Sequence, residues 1–156
     1  EIDNTDAEGR VVLGDALAYA SEGKPDLLLD FATLTGAARV ALGPELPALY
    51  SNDDAVAQAW LEAGLQVRDP LWRMPLWRPY LRYLTSHVAD IANSGSSRMG
   101  GSITAALYLE RFVPETQPWA HLDVYAWNDN DRAGRPCGGE AQGLRSAWAM
   151  LAARFS

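Results

Sequence analysis

The sequence predicts a layered α/β fold, and three observations support this prediction. Segments with the apolar periodicity of helices alternate with short apolar runs of strand length, which is the pattern of helices packed on a sheet. Hydrophobic residues make up 48% of the 156 residues, enough to bury the core of one domain. No internal repeat or low-complexity tract interrupts the alternation. We therefore expect one folded α/β domain and not a disordered chain.

The first part of the chain is predicted to alternate between helices and strands. The first helix carries an apolar stripe at helical spacing and stops at Gly23. The apolar run LLLDFA indicates a buried strand, and Thr33–Gly36 follows it as a strand-to-helix turn. A second short helix ends at Gly43, and Asp53 or Asp54 can cap a third. Helices are thus expected over 11–22, 37–42 and about 54–65, and strands over 27–32 and 46–50.

The second part of the chain is more irregular but ends in a clear helix. Residues 68–82 are rich in Trp, Pro and Arg, which indicates irregular structure or a broken helix. Glycine-rich and turn-rich loops are expected over 93–102 and 128–139. Apolar periodicity predicts helices over 103–112 and 141–155, and alternation predicts a strand over 119–127.

Charge and composition exclude several classes of partner. The formal net charge of −7 disfavours a phosphate-binding surface and gives no support to nucleic-acid binding. No apolar run approaches the roughly 20 residues that span a bilayer, and no signal peptide opens the chain. The single cysteine, Cys137, excludes an intrachain disulfide. We expect a soluble cytoplasmic protein without a nucleic-acid or membrane partner.

Common catalytic motifs are missing from the sequence. There is no H-E-x-x-H zinc helix, no G-x-S-x-G elbow, no Walker A loop and no Cys/His metal spacing. His87 and His121 are the only histidines, and we interpret both as structural. Lys24 is the only lysine among 13 basic residues. Residues 1–156 alone therefore cannot supply a mechanism that needs several lysines.

The stretch NTDAEGR, residues 4–10, offers a different kind of chemistry. In an extended loop the side chains of Asp6 and Glu8 would point the same way. Carboxylate oxygens suit hard divalent cations and can bridge two of them, and Arg10 could hold an anion beside such ions. Acids two apart are also common on solvated loops. From the residues alone, a metal site and a plain solvated loop both remain open.

The complete string NTDAEGR resembles the signature of the leucyl (cytosol) aminopeptidases, the M17 peptidase family. Further segments resemble the family in the same order and cover nearly the whole chain. They are DFATLTGAARVALG (30–43), HVADIANSG (87–95), GSITAALYLERFV (101–113) and WAHLDV (119–124). The chain is identified as a divergent member of this family, representing the C-terminal part of its catalytic domain.

The resemblance implies a two-metal-dependent aminopeptidase that hydrolyses N-terminal residues from peptides through a metal-bridging water. Asp6 and Glu8 would bind two divalent ions, with zinc or manganese as the first candidates and magnesium or cobalt as the others. Arg10 would be the catalytic residue that holds a bicarbonate, with help from the backbone amides of Gly9 and Leu34. The implied substrate- and anion-binding residues are Asn4, Ala7, Gly9, Thr33, Leu34 and Gly36. The sequence departs from the family in the predicted pocket for the first side chain of the substrate. There Tyr125 and Asn128 are bulkier or more polar than the small residues and methionine that the family often has, which argues against a simple preference for leucine. The simpler interpretations of all these residues are a turn, a cap, loop packing and strand-end aromatic packing.

The resemblance also implies what this chain does not contain. The family's metal site needs a lysine and two aspartates that precede the signature. A second lysine, which acts as an electrophile near the substrate carbonyl, also precedes it. Residues 1–156 would therefore be the C-terminal portion of the catalytic domain, with the N-terminal part of the site elsewhere. The expected fold is part of a three-layer α/β/α sandwich with a mixed central sheet, in a hexamer. An alternative is a catalytically incomplete structural or oligomerisation module; a nucleic-acid-binding regulator is disfavoured by the acidic charge.

Overall fold

The computed structural model describes residues 1–156, and its elements follow the predicted alternation. Short 3₁₀ helices cover Thr5–Ala7 and Arg78–Leu84. The α-helices are α1 (Glu8–Glu22), α2 (Gly36–Leu42), α3 (Asp54–Gln66), α4 (Gly101–Glu110) and α5 (Leu144–Arg154). The strands are β1 (Leu28–Ala32), β2 (Ala48–Ser51), β3 (Trp72–Arg73), β4 (Trp119–Asp123), β5 (Trp127–Asn128) and β6 (Gly138–Gly139).

Four of the strands form one mixed sheet in the order β1-β4-β2-β3. Strand β4 runs parallel to β1 and antiparallel to β2, so that His121 lies between Asp30 and Tyr50. All five residues of β4 are buried, which identifies it as the centre of the domain. Strands β5 and β6 form a separate small hairpin in the loop that follows β4.

Helices cover both faces of the sheet. On one face, the side chains of Ala120 and Leu122 pack in a core with Trp60 of α3 and Met150 of α5. On the other face, Trp119 packs in a second core with residues of α1 and α4. Adjacent residues of β4 thus belong to opposite cores, as the period of a strand requires. The predicted three-layer α/β/α arrangement with a mixed sheet is confirmed.

Two predicted boundaries are wrong for reasons of backbone geometry. The expected strand over 119–127 ends at Asp123, because Ala126 has a φ of 54° and the chain turns before β5 begins. The terminal helix begins at Leu144 and not at residue 141, because Gly143 precedes it with a φ of 80°. Irregular structure over 68–82 is found as predicted, except for the short β3 and a 3₁₀ helix.

The N-terminus of α5 is fixed by one buried carboxylate. Asp69 is 4% exposed and accepts the backbone N–H groups of Gly143 at 3.1 Å and Ser146 at 3.0 Å. It also accepts the Ser146 hydroxyl at 3.2 Å. A side chain of Gly143 would collide with Leu122, since an added Cβ would lie 2.1 Å from its Cδ2. This end of the helix is therefore closely packed, and Asp69 accepts two of its backbone N–H groups.

The candidate site lies at the edge of the sheet where the parallel strands β1 and β4 end. Ala32 and Asp123 are register partners at the carboxyl ends of the parallel strands β1 and β4. Loops that follow parallel strands meet at that edge, which is a common place for ligand sites in α/β folds. None of the helices is long and apolar enough to cross a membrane.

Candidate active site

The signature segment is helical and not extended. Asp6 lies in the 3₁₀ helix Thr5–Ala7, and Glu8 opens α1. The side chain of Asn4 caps the 3₁₀ helix, with its Oδ1 accepting the Asp6 N–H at 2.9 Å. The expectation that an extended loop aligns Asp6 and Glu8 is wrong, because two tight helical turns determine the directions of both side chains.

The carboxylates of this segment have no partner in the chain. Asp6 and Glu8 are exposed, and neither takes part in any ion pair of the molecule. Ala7 between them is buried, so the backbone is anchored while both acids face outwards. The chain contains no group of three or more His, Cys, Asp or Glu residues that could hold a metal ion by itself.

Arg10 follows on the buried side of α1. It is only 9% exposed, its Nε has no hydrogen-bond partner, and no ion pair includes it. Burial lowers the pKa of the Arg10 guanidinium, and the nearby Tyr108, Asp123 and Asp3 partly oppose this effect. A buried cation without an anion is unusual, because burial without compensation costs free energy.

The turn Thr33–Gly36 is organised by Asp123 at the end of β4. The carboxylate of Asp123 is 2% exposed and accepts the backbone N–H groups of Leu34 at 3.0 Å and Thr35 at 3.1 Å. It also accepts the hydroxyls of Thr35 at 2.6 Å and Ser102 at 3.2 Å. The Thr35 hydroxyl in turn caps α2. One buried carboxylate therefore fixes the whole turn.

The signature segment and the turn meet at Gly9. A Cβ on Gly9 would lie 3.5 Å from Cδ1 of Leu34, so the two segments are in contact. The backbone amide of Leu34, which we predicted to bind the anion, donates to Asp123 instead. That donor is already used within the protein. The geometry leaves the Arg10 guanidinium and the uncapped N-terminus of α1 as the groups available to an anion.

Comparison with known proteins decides the family. Residues 1–147 match the model of the cytosol aminopeptidase family, catalytic domain. The chain belongs to this family. It is 46% identical to a probable cytosol aminopeptidase of Synechococcus sp. (strain CC9311), covering 99% of this chain and 31% of that protein. It is 51% identical over 148 residues to a probable cytosol aminopeptidase of Parasynechococcus marenigrum, covering 94% of this chain and 30% of that protein.

Solved structures of similar proteins show the same fold. The crystal structure of a cytosol aminopeptidase from Coxiella burnetii matches with a TM-score of 0.97 and 58% identity, covering 100% of this chain and 34% of that one. The bottromycin maturation enzyme BotP in complex with Mn matches with a TM-score of 0.90 and 44% identity, covering 99% of this chain and 35% of that one. The chain thus spans about a third of the length of the family members it matches.

The predicted pocket residues follow β4 in this family member. Tyr125 is half-buried, with the guanidinium of Arg39 stacked 4.5 Å from its ring centroid and its hydroxyl donating to Asp129 at 3.0 Å. Asn128 is buried, and its Nδ2 donates to the carbonyls of Arg135 at 2.7 Å and Pro136 at 2.9 Å. The Asn128 amide thus holds the loop before β6, and contact of either residue with a substrate stays a prediction.

His121, which we interpreted as structural, lies deep in the sheet and away from solvent. It is 1% exposed, and its Nδ1 lies 2.5 Å from Oδ1 of Asp30. The other oxygen of Asp30 accepts the Trp119 indole N–H at 2.7 Å. Beside it, Tyr50 donates its hydroxyl to Ser102 at 2.7 Å, and burial raises the pKa of Tyr50. These groups link β1, β4 and β2 across the middle layer.

Two polar residues of the site were missed by the sequence reasoning. Asp123 carries the turn Thr33–Gly36, and Asn93 binds the backbone of the signature segment. The position of Asp123 directly after four buried strand residues could have indicated its role, since polar groups at strand ends often face sites. No sequence pattern links Asn93 to residues 3–7, because the contact spans almost 90 positions.

The donor set fits metal ions and an anion only in part. Hard divalent ions prefer oxygen ligands. Asp6 and Glu8 offer carboxylate oxygens that no other side chain of the chain pairs with. The orphaned Nε of Arg10 fits a small oxyanion. Two carboxylates are too few ligands for two divalent ions, so further ligands would have to come from other residues.

Proposed function

We propose that residues 1–156 form the C-terminal portion of the catalytic domain of a two-metal-dependent aminopeptidase. One observation carries this proposal. Two exposed, unpaired carboxylates and one buried, unpaired guanidinium lie within five residues of each other, beside a turn held by Asp123. A protein gains nothing in stability from leaving these groups unpaired, whereas a ligand site needs them free. Membership of the cytosol aminopeptidase family supports the same conclusion.

Asp6 and Glu8 would supply oxygen ligands to the two ions, with Glu8 shared between them. When bound, divalent ions polarise a peptide carbonyl and activate water for its hydrolysis. Zinc and manganese are the first candidate ions, and magnesium and cobalt are also compatible with the donor type. The solved complex of BotP with Mn supports manganese. The remaining ligands would come from residues that precede the signature in the whole protein.

Arg10 would hold a bicarbonate ion next to the metals. Its guanidinium presents N–H groups in a planar fork that suits a planar oxyanion, and burial strengthens the attraction by removing water. The N-terminus of α1, which no side chain caps, would add N–H donors from Gly9 and its neighbours. Arg10 and these amides would orient the anion beside the metals, where a bicarbonate would supply acid–base chemistry for the hydrolysis.

The substrate would lie between the signature segment and the turn Thr33–Gly36. Thr33, Leu34 and Gly36 would contact the peptide, and Asn4 and Ala7 would lie on the side of the leaving group. Tyr125, stacked with Arg39, would limit the pocket for the first side chain, so that the preferred N-terminal residue need not be leucine. We place the whole protein in the cytoplasm, as a homohexamer acting on peptides, by family resemblance.

The direct test is hydrolysis by the whole protein. It should cleave aminoacyl-p-nitroanilides or dipeptides when manganese or zinc is added. Glu8→Ala should abolish this activity while the circular dichroism spectrum stays unchanged, because Glu8 is exposed and makes no contact that the fold needs. Full activity in Glu8→Ala would contradict the assignment.

The alternative is a structural or oligomerisation module that keeps only part of the site. It is favoured by the lack of any group of three metal-ligating side chains in these residues. Both proposals predict that the 156-residue chain alone is inactive and binds metal weakly. They differ for the whole protein, which hydrolyses peptides only under the first. Tight binding of two ions by the 156 residues alone, measured by calorimetry, would contradict the divided site.

A further inference from the structure

One buried amide, that of Asn93, holds the segment that carries the two acids. Asn93 is 1% exposed and lies in the loop between the 3₁₀ helix Arg78–Leu84 and α4. Its Oδ1 accepts the backbone N–H groups of Asp3 at 3.0 Å and Asn4 at 3.2 Å. Its Nδ2 donates to the carbonyls of Asn4 at 2.8 Å and Ala7 at 3.3 Å. Both donors and both acceptor sites of the amide are therefore used on a single segment.

These contacts fix both ends of the turn Asn4–Ala7, which carries Asp6 and leads directly into Glu8 at the start of α1. Asn4 caps the turn at one end, and Ala7 closes it at the other, between Asp6 and Glu8. The neighbouring residue adds a further link, since the Ser94 N–H donates to Oδ1 of Asp3 at 3.1 Å. The loop that contains Asn93 thus acts as a support for residues 3–7.

The side chains of the two acids are not held by any partner of their own. The side chains of Asp6 and Glu8 are exposed and take part in no ion pair, so only their backbone determines where their oxygens lie. Metal ligands must be held within roughly 0.5 Å of the productive geometry, which requires support from the groups behind them. Asn93 is the buried side chain that binds this backbone at both ends of the turn.

We propose that Asn93 is a positioning residue whose amide pre-organises the turn Asn4–Ala7, so that Asp6 and Glu8 are aimed at divalent cations before these bind. The proposal rests on the proposed function, because it assumes that the two acids are metal ligands. It adds a residue that touches neither the metal nor the substrate and acts only through the backbone of the signature segment.

A second asparagine provides a matched control. Asn52 follows β2 and also bridges two backbone groups with its amide. Its Nδ2 donates to the carbonyl of Gln117 at 2.9 Å, and its Oδ1 accepts the Trp119 N–H at 2.9 Å. It lies at the amino end of β4, whereas Asp123 and the candidate site lie at the carboxyl end. Loss of the Asn52 amide should therefore weaken the fold without disturbing the acids.

The test measures manganese binding by calorimetry on the metal-stripped whole protein. Asn93→Ala should weaken the apparent Kd for Mn²⁺ about 10–100-fold, the range found when groups that orient metal ligands are removed. Asn52→Ala should leave that Kd unchanged. Equal Kd values for both variants and the wild type would overturn the proposal, and so would equal weakening in both variants, since that outcome indicates a merely structural role.

Two further measurements keep the proposal testable if Asn93→Ala does not fold. Asn93→Asp is isosteric and keeps an acceptor for Asp3 and Asn4, but it loses both donors to the carbonyls, so it should also weaken Mn²⁺ binding. In the metal-stripped wild type, the amide hydrogens of Asp3 and Asn4 should exchange slowly with deuterium. Exchange at the rate of an unstructured peptide until Mn²⁺ is added would show that the turn is not pre-organised and would overturn the proposal.

Failure of this proposal can be distinguished from failure of the proposed function. A whole wild-type protein that neither binds Mn²⁺ nor cleaves peptides contradicts the function itself. A wild type that does both, together with an Asn93→Ala variant of unchanged affinity, contradicts only the positioning role. A wild type that does both, with weakened affinity in Asn93→Ala alone, supports both.

Discussion

Asp69 and Arg10 are both charged and both buried, yet their surroundings differ completely. Asp69 is 4% exposed and accepts three hydrogen bonds from Gly143 and Ser146 at the N-terminus of α5. Arg10 is 9% exposed, its Nε has no partner, and no carboxylate pairs with it. The first charge is satisfied by the fold, and the second is not.

Asp69 therefore stabilises the fold, whereas Arg10 has no partner within the chain and is available to a ligand. Buried polar groups are almost always hydrogen-bonded, so an orphaned one needs an explanation. The lowered pKa of Arg10 means that its charged form is destabilised in the folded chain at neutral pH. The fold tolerates this cost at the edge of the sheet where the signature segment and the turn Thr33–Gly36 meet.

The largest expected effect on stability belongs to Asp69. Asp69→Ala should lower the free energy of unfolding by about 2–4 kcal/mol, because it leaves two backbone N–H groups and a buried hydroxyl without their acceptor. Urea denaturation of the whole protein measures this. Metal affinity should not change, since the hydrogen-bond partners of the Asp69 side chain are all at the start of α5 and none belongs to the signature segment.

Asp53 is the control for this prediction. It caps α3 through hydrogen bonds to Ala55 at 2.8 Å and Val56 at 3.0 Å, but it is half-buried. Water can replace part of what is lost, so Asp53→Ala should cost only about 1 kcal/mol. If Asp69→Ala proves no more harmful than Asp53→Ala, the hydrogen bonds of Asp69 do not hold the fold as we describe.

Asp123 should behave as an intermediate case, because it belongs to both the fold and the site. Asp123→Ala should lower the free energy of unfolding by about 1–3 kcal/mol, less than Asp69→Ala because the turn it holds is half-exposed and can be rehydrated. It should also raise KM for peptides, since the turn is proposed to contact the substrate. Steady-state kinetics at saturating metal test this.

Asp123→Asn is the conservative variant for that experiment. It keeps an oxygen acceptor for the amides of Leu34 and Thr35, so it should recover part of both the stability and KM. A loss of stability in Asp123→Ala with no change in KM would show that the turn Thr33–Gly36 does not contact the substrate.

Periodicity and turn residues were sufficient to predict most of the fold. The helices and strands up to residue 66 were found within a few residues of their predicted bounds, and the α/β layers were predicted from their alternation. The end of β4 was not predictable, because the positive φ of Ala126 is imposed by the loop and not by the residue type. The same holds for the 3₁₀ helix Thr5–Ala7, which is too short to have a period.

The candidate site was predicted less completely. The residues of the signature were identified by resemblance, while their helical conformation was not. Burial of Arg10 and the hydrogen bonds of Asn93 to residues 3–7 depend on contacts between distant parts of the chain. Local sequence patterns carry no information about such contacts. Asp123 was also missed, although its place at the end of an apolar strand is visible in the sequence.

Arg10→Met tests the contrast between the two buried charges most directly. The free energy of unfolding and kcat are measured on the same whole protein, with manganese present in the kinetic assay. We predict that kcat falls by about 10²–10³, as when a charge-stabilising donor is removed, while the free energy of unfolding stays equal or rises, because an unpaired buried charge is replaced by an apolar side chain. A variant that unfolds more easily yet keeps its kcat would contradict the account.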